Sequence, residues 1–295
     1  MTFFLQLAVT GLATGMVFAL IAMGFVVILK CSGVFNIAQG YLVMIGSYLG
    51  YTFLVTFHLP IWASLIFAIM VAIIMGLLIE RLTLRPLVGQ PILAVIMMTI
   101  ALSSVLEGLA TLIWGGQYKT YHNVIPAINL RFAGISLPSE SLIGLLVSAA
   151  VVIILILFFR YTKMGLAMRA TAEDEQVVRS SGIKVNTVYA ISWIIACVTA
   201  VIAGILLGAV SGAFIPISSI GLEAFAVVLL GGIDSIGGAV IAGIILGVLQ
   251  NVAAGYLDPL IPSGGLAGVF PFFVIIVVLI FKPYGLFGLH RIERI

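Results

Sequence analysis

Five uninterrupted apolar runs, each about as long as a lipid bilayer is thick, constrain the fold of this chain most strongly. They cover residues 3–29, 61–79, 92–114, 142–159 and 188–213. A helix needs about 20 apolar residues to cross the hydrocarbon layer, and lipid supplies no hydrogen-bond partners for other backbone conformations. The runs therefore predict transmembrane helices, and a chain with 63% hydrophobic and 8% charged residues is expected to be an integral membrane protein.

Shorter apolar runs add further membrane segments. Residues 42–57 and 267–281 are expected to cross, whereas residues 223–254 are interrupted by glycines and by Asp234. The part before this break is about 16 Å of helix at 1.5 Å per residue, too short to cross alone. We predict an all-α fold: a polytopic transmembrane helical bundle forming one domain over residues 1–295, with about eight to nine membrane segments, some of them broken or re-entrant.

The distribution of Lys and Arg predicts the orientation. With the N-terminus outside, 11 of the 13 basic residues lie on the cytoplasmic side, and only Lys119 and Arg131 lie outside. Membrane proteins concentrate basic residues in their cytoplasmic loops. We therefore expect a cytoplasmic C-terminus, a cytoplasmic loop at residues 160–184, and an outer loop at residues 115–138 that contains a short β-hairpin.

Catalytic and metal-binding motifs are not recognisable in the sequence. The three histidines fall in predicted loops or tails, and the two cysteines, Cys31 and Cys197, are too few for a metal site. Neither a phosphate-binding loop nor an H-E-x-x-H zinc motif occurs. We expect a protein that is not an enzyme and holds no cofactor of its own. No nucleic-acid partner is expected either, because the basic residues collect at the membrane edges.

Two glycine-flanked polar clusters interrupt the apolar sequence. Residues 33–40 read G-V-F-N-I-A-Q-G and residues 231–238 read G-G-I-D-S-I-G-G, so both match G-x-x-[ND]-x-x-x-G before an apolar helix. This match is compatible with an internal duplication. Helices broken inside a membrane expose backbone groups that transporters use for polar substrates. Asn36, Gln39, Gly40 and Asp234 are therefore predicted to line a substrate path, and tight structural turns are the alternative.

Two further carboxylates lie in or near apolar runs. A charge facing the bilayer centre costs about 2.5–3.5 kcal/mol on insertion scales, so such groups must face protein or water. We add Glu107 to the predicted substrate path, with a hydrogen bond between helices as the favoured alternative. Glu223 lies near the predicted outer surface, where water can solvate it.

The most highly charged stretch is the predicted cytoplasmic loop at residues 160–184, which holds five of the 13 basic and three of the 10 acidic residues. Thr171 and Asp174 form a variant of the capping box, acidic residues crowd the first turn, and Gly182 can close the helix. The pattern predicts a surface helix over about residues 172–181. We interpret it as a docking site for a cytoplasmic partner, and a solvated linker is the alternative.

Three motifs in order along the chain resemble a known transporter family. They are G-V-F-N-I-A-Q-G-Y-L-V-M-I-G-S-Y, then G-L-A-M-R-A-T-A-E-D-E-Q-V-V-R-S-S-G-I, then G-L-E-A-F-A-V-V-L-L-G-G-I-D-S-I-G-G. They resemble the permeases of branched-chain amino acid ABC transporters, and the similarity covers essentially the whole chain. Permeases for urea and short amides look similar, so the resemblance is less specific for the substrate.

The resemblance implies a heteromeric importer in the bacterial cytoplasmic membrane. Its partners would be two cytoplasmic ATPase subunits that bind ATP and Mg, a second related permease and an external substrate-binding protein. The loop helix would then be the coupling helix seated in a groove of an ATPase subunit. The residues assigned to this coupling are Thr171, Ala172, Glu173, Asp174, Arg179 and Gly182.

Two other classes of protein remain as alternatives. A self-sufficient secondary transporter or channel needs ion-coupling residues, for which the membrane carboxylates Glu107 and Asp234 are the candidates. An intramembrane enzyme is disfavoured because the sequence lacks a nucleophile-base pair and a metal set.

Overall fold

The helices of the computed structural model account for most of the chain, and the structure describes residues 2–121, 130–132, 135–260 and 265–288. The α-helices are α1 (Thr2–Ser32), α2 (Gln39–Tyr51), α3 (Ile61–Ile79), α4 (Ile92–Ala110), α5 (Ser139–Tyr161), α6 (Lys163–Glu173), α7 (Glu175–Ser180), α8 (Val185–Ser211), α9 (Ile220–Gly231), α10 (Ile236–Tyr256) and α11 (Leu266–Phe281). Single π-helical turns extend α2, α3 and α4, and a 3-10 turn, Ile215–Ser219, leads into α9.

The length and composition of the helices confirm the predicted polytopic all-α bundle. Within the described ranges, α1, α3, α4, α5, α8 and α10 are long and apolar enough to cross a membrane, and α9 and α11 are shorter apolar helices. Together with α2 they give nine apolar segments, at the upper end of the predicted range. Strands β1 (Leu130–Phe132) and β2 (Ile135–Leu137) pair antiparallel, as the predicted hairpin requires. Residues 122–129 of the predicted outer loop lie outside the described residues.

The bundle has two distinct ends, which we name by what they carry. The α6–α7 end holds the two short helices between α5 and α8, and the hairpin end holds β1 and β2. Helix α5 connects the two ends. Helices α1 and α8 run antiparallel through the centre, and their middle residues, such as Ile21 and Trp193, are completely buried.

Glycines let several helices approach one another closely. Gly11 and Gly15 on α1 face Gly247 and Gly243 on α10, and a Cβ atom added to Gly15 would lie 2.6 Å from the carbonyl oxygen of Gly243. Small residues four positions apart are typical of close helix packing in lipid, because van der Waals contact replaces the hydrophobic driving force there. The glycine spacing of the sequence thus corresponds to a real helix contact.

The bundle contains two similar units that run in opposite directions. Helix α1 ends in Ser-Gly-Val-Phe at residues 32–35 and α8 ends in Ser-Gly-Ala-Phe at residues 211–214, with φ of 65° at Gly33 and 81° at Gly212. After each motif the chain turns back into the bundle and starts a short helix, α2 or α9, followed by two longer helices. Helix α1 packs on α10, and correspondingly α8 packs on α3. Helices α1 to α4 and α8 to α11 therefore form an inverted repeat.

This arrangement corrects the duplication suggested by the sequence match. Residues 33–40 correspond to residues 212–221, and not to residues 231–238, which form the tight turn between α9 and α10 at the α6–α7 end. Residues 33–40 lead into the start of α2, whereas residues 231–238 begin at the end of α9, where Gly232 has a φ of 99°. The two segments therefore occupy different positions relative to their helices. The predicted interruption itself is confirmed, because α9 stops at Gly231.

Candidate functional site

Helix α2 begins inside the protein, and Gln39 at its first position is completely buried. The Gln39 Nε2 atom donates a hydrogen bond of 3.2 Å to the carbonyl oxygen of Ala196 on α8. Ala196 lies about 16 Å along α8 from Val185, at 1.5 Å per residue. The segment 33–38 therefore re-enters the bundle and places the start of α2 deep among the long helices.

The side chain of Asn36 holds this re-entrant segment together. Its Nδ2 donates to Gln39 Oε1 at 3.1 Å, and its Oδ1 accepts a hydrogen bond of 3.1 Å from the backbone N–H of Ala38. Thr99 on α4 donates to the Phe35 carbonyl at 3.3 Å. Asn36 is only 1% exposed. In this conformation the amides of Asn36 and Gln39 bind the protein itself, as expected for groups that stabilise a turn in an apolar interior.

Gly40 lies where the first turns of α2 and α9 meet. A Cβ atom on Gly40 would lie 2.0 Å from the Ser218 carbonyl oxygen, and one on Gly221 would lie 2.7 Å from the Gly40 Cα. The two short helices of the inverted repeat therefore touch, backbone against backbone. The sequence analysis did not predict that Ser218 and Gly221 contact Gly40. The repeated Ser-Gly-x-Phe motif could have indicated it, because it relates the segment that contains them to residues 33–40.

A large polar cavity of about 810 Å³ opens at the α6–α7 end. Its walls include Lys30 from α1, Glu175 from α7, Tyr189 from α8, and Asp234. The Lys30 Nζ atom donates to the backbone carbonyl of Asp234 at 3.1 Å, so that α1 is tied to the turn between α9 and α10. Asp234 therefore lies at the α6–α7 end of the bundle, on the wall of the same cavity as Gly33, the first residue of the re-entrant segment.

Glu107 lies apart from the other predicted path residues. It is half-buried on α4, between Val105 and Leu109, which are 55% and 45% exposed. Its backbone carbonyl accepts a hydrogen bond from Thr111 of the same helix. The structure thus brings Asn36, Gln39 and Gly40 together, and places Glu107 and Asp234 elsewhere.

The charged loop forms two helices and not the single helix predicted over about residues 172–181. Thr171 lies inside α6, 5% exposed, and its hydroxyl donates to the Ala167 carbonyl, so it caps nothing. Asp174 is the N-cap of α7, where its Oδ1 accepts from the N–H groups of Gln176 at 2.8 Å and Val177 at 3.1 Å. An Asp in extended conformation satisfies helix N–H groups better than it continues a helix, which explains the break.

The other features predicted for this loop are present in the structure. Arg179 forms an ion pair with Glu175 one turn earlier, and Gly182, with φ of 82°, ends the helical segment. Ala172 is half-buried at the wall of the 810 Å³ cavity, and Glu173 is exposed.

Helix α6 is anchored to the bundle on one side and exposed on the other. Met168 is 1% exposed and packs with Phe159 and Val188, while the Arg169 guanidinium donates to the Phe159 carbonyl at 2.5 Å. Glu173 and Asp174, at the end of the helix, are exposed. The exposed end of α6 is therefore connected to α5 and α8 through packed side chains.

Comparison with known proteins gives a consistent family assignment. A family model described as "Branched-chain amino acid transport system / permease component" matches residues 7–279. The permease protein LivH of the high-affinity branched-chain amino acid transport system of Salmonella typhimurium is 31% identical over 99% of this chain and 98% of its own length. BraD of Pseudomonas aeruginosa, a permease protein of such a system, is also 31% identical over 99% of this chain and 98% of its own. A probable branched-chain amino acid permease of Methanocaldococcus jannaschii is 29% identical over 91% of this chain and 88% of its own.

Proposed function

The chain belongs to the branched-chain amino acid transport permease family, and from this membership we propose that it is the membrane subunit of an ATP-binding cassette importer for aliphatic amino acids. The observation that carries the proposal is the family match over residues 7–279, which covers the re-entrant segments and the α6–α7 end alike. The protein spans the membrane several times. We place it in the cytoplasmic membrane, with the α6–α7 end inside and the hairpin end outside.

The α6–α7 end is the proposed docking surface for the ATPase subunits. Two such subunits, a second related permease and an external substrate-binding protein would complete the importer. Helix α7 offers an exposed, charged surface on a base that is packed into the bundle, and most of the basic residues lie at this end. Residues 171–182 would seat in the ATPase groove, with Asp174 fixing the start of α7.

The proposed mechanism is alternating access. Closure of the ATPase subunits on ATP would move α6 and α7 as a unit, because Met168 and Arg169 fix α6 to the end of α5. Glu175 lines the same cavity as Lys30 and Asp234, so the movement reaches the inner mouth directly. Packed helices switch between discrete arrangements, which is how a small displacement at one end produces a change in access.

The substrate path is proposed to pass the break between α1 and α2 and to leave through the 810 Å³ cavity. Asn36, Gln39 and Gly40 would hold the break open to the path, and Asp234 would lie at its inner mouth. Glu107 is the least supported of these residues, since it lies on a peripheral helix.

Uptake by the reconstituted complex tests the function. The permease, its ATPase subunits, the second permease and the binding protein are placed in proteoliposomes with labelled leucine, isoleucine, valine or urea. We expect uptake of the three amino acids that requires ATP and the ATPase subunits. Uptake of urea alone would assign the chain to the related short-amide permeases. Amino acid uptake driven by an ion gradient without ATPase subunits would make it a secondary transporter.

Charge reversal tests the docking surface. Glu173→Lys combined with Arg179→Glu is expected to abolish uptake and to reduce co-purification of the ATPase subunits, because both side chains are exposed on the proposed interface. Gln117→Lys, an exposed change at the hairpin end, is the matched control. Normal uptake and co-purification in the double variant would rule out this docking surface.

A further inference from the structure

A second cavity of about 470 Å³ lies where α1, the re-entrant segment and α9 meet. It is distinct from the polar cavity at the α6–α7 end, and its walls come from both units of the inverted repeat. Residues 25–41 supply one side, and residues 216–225 supply the other. The cavity therefore lies beside the contact between Gly40 and Gly221.

Three phenylalanines form an apolar wall of this cavity. The rings of Phe25 and Phe35 stack at 5.7 Å between centroids, Phe225 meets Phe35 edge to face at 4.5 Å, and Phe25 and Phe225 are 6.2 Å apart. Such a cluster is preorganised, since each ring limits the rotation of the other two. It offers a rigid surface for an aliphatic side chain.

The rest of the wall is mostly apolar as well, and it carries three uncharged polar side chains. Tyr41, Ser218 and Ser219 carry hydroxyl groups that have no hydrogen-bond partner within the part of the chain that the structure describes. A hydroxyl group both donates and accepts, so this set can meet a carboxylate and an ammonium group alike. Among the described residues, no Asp, Glu, Lys or Arg lines the cavity. This lining suits a ligand without net charge better than an ion.

We propose that this cavity is a binding station for the substrate in transit, and that it holds a zwitterionic amino acid with an aliphatic side chain. The side chain contacts Phe25, Phe35 and Phe225, and the zwitterionic end bonds to the hydroxyl groups of Tyr41, Ser218 and Ser219. The inference rests on the proposed transport function. The proposal also assigns a role to Asn36 and Thr99, because their hydrogen bonds hold the segment that carries Phe35.

The mouth of the cavity indicates what closes it. Leu222 is 58% exposed, and Ser219 is exposed beside it. A polar opening that faces lipid is unfavourable, since hydrocarbon leaves hydroxyl groups without partners. The second permease subunit of the proposed importer would cover this face and enclose the substrate.

Photolabelling of the complete complex tests the station without any substitution. Photo-leucine, the diazirine analogue of leucine, is loaded on the binding protein, the complex turns over ATP in proteoliposomes, and the light-induced adducts are mapped by mass spectrometry. We expect adducts in peptides that contain residues 25–41 and 216–225, and their loss with excess leucine. Adducts confined to other parts of the permease would overturn the proposal.

A variant that fills the cavity provides the second measurement. Phe225→Trp is expected to lower both labelling and leucine uptake at least about tenfold, the size of effect that one badly fitting group causes in an apolar pocket. Phe67→Trp, an equal change on the outward face of α3, is the matched control and keeps both activities. Assembly with the ATPase subunits shows that the variants are folded. Wild-type labelling in an assembled Phe225→Trp complex would contradict the station.

The experiments distinguish failure of the proposed transport function from failure of the proposed binding station. A wild-type complex that takes up none of leucine, isoleucine and valine removes the transport function, and the station with it. A complex that takes them up while photo-leucine marks other segments removes the station alone.

Discussion

Gln39 uses both ends of its amide in a place where water has no access. Its nitrogen reaches the Ala196 carbonyl on α8, and its oxygen accepts from Asn36. Ala196 O also accepts from Thr199 of its own helix at 3.0 Å. A buried amide without partners destabilises a protein, so this small network converts three polar residues into a cross-link between the re-entrant segment and the central helix.

The Asn36 side chain makes two hydrogen bonds in this network, one as donor and one as acceptor. Asn36→Leu leaves Gln39 Oε1 and the Ala38 N–H without partners, at about 1–3 kcal/mol for each buried group. We expect a lower melting temperature of the purified protein in detergent and reduced uptake in the complex. Asn36→Asp keeps the acceptor for Ala38, but it removes the donor to Gln39 Oε1 and buries a carboxylate, so it should also lower the melting temperature. Equal melting temperatures for the wild type and Asn36→Leu would show that the network contributes nothing.

Gly40 and Gly108 form a matched pair for a second prediction. A Cβ atom on Gly40 meets the Ser218 carbonyl, whereas a Cβ atom on Gly108 in α4 meets nothing within 4 Å. Gly40→Ala should therefore force α2 and α9 apart and cost about 1–3 kcal/mol, the usual range for overpacking. Gly108→Ala should be neutral or slightly stabilising. Thermal unfolding of both variants decides the point, and the prediction fails if Gly40→Ala melts no earlier than Gly108→Ala.

At the scale of elements, α7 shows how a few side-chain atoms define a helix of six residues. A helix this short is unstable alone, so it depends on its cap, its ion pair and the burial of Val178. The break at Asp174 also separates an anchored helix from an exposed one. The surface formed by α6 and α7 is therefore stepped and is not one continuous helix.

The cap of α7 supports a third prediction. Asp174→Ala removes the acceptor for two N–H groups, and losing such a cap typically costs about 1 kcal/mol. We expect weaker co-purification of the ATPase subunits and slower uptake, with membrane insertion unchanged. Asp174→Ser restores a capping oxygen and should recover much of the loss. If Asp174→Ala and Asp174→Ser behave alike, the cap does not matter for coupling.

The sequence predicted helices better than it predicted where they start. Apolar runs such as residues 61–79 coincide with α3, because bilayer thickness fixes the length of a crossing helix. The position of α2 could not be predicted, since depth in the bundle depends on the contact of Gln39 with α8, which is distant in sequence.

The split at Asp174 was missed because a cap and an acidic first turn produce the same residue pattern. The aromatic cavity was missed for a similar reason, since Phe25, Phe35 and Phe225 come together only in the folded chain.

At the scale of the whole molecule, the orientation in the membrane is open to direct measurement. Tyr118 near the hairpin end and Val177 on α7 are each 58% exposed. The native cysteines, Cys31 and Cys197, are buried and can be replaced to give a Cys-free background. We expect an impermeant thiol reagent to label Tyr118→Cys in intact cells and Val177→Cys only after permeabilisation. The opposite pattern would invert the proposed topology.

Helix α5 explains how the second unit of the inverted repeat comes to run in the opposite direction to the first. The unit formed by α1, the re-entrant segment with α2, α3 and α4 crosses the bundle four times, so it finishes at the end where it began. A second copy joined directly to it would start from that same end and run parallel to the first. One additional crossing between the copies is needed to turn the second copy over, and α5 is that crossing. It delivers the chain to the α6–α7 end, so that α6 and α7 lie on the linker that inverts the second unit. A permease lacking α5 would have both copies facing the same way, with α1 and α8 parallel and the contact between Gly40 and Gly221 lost.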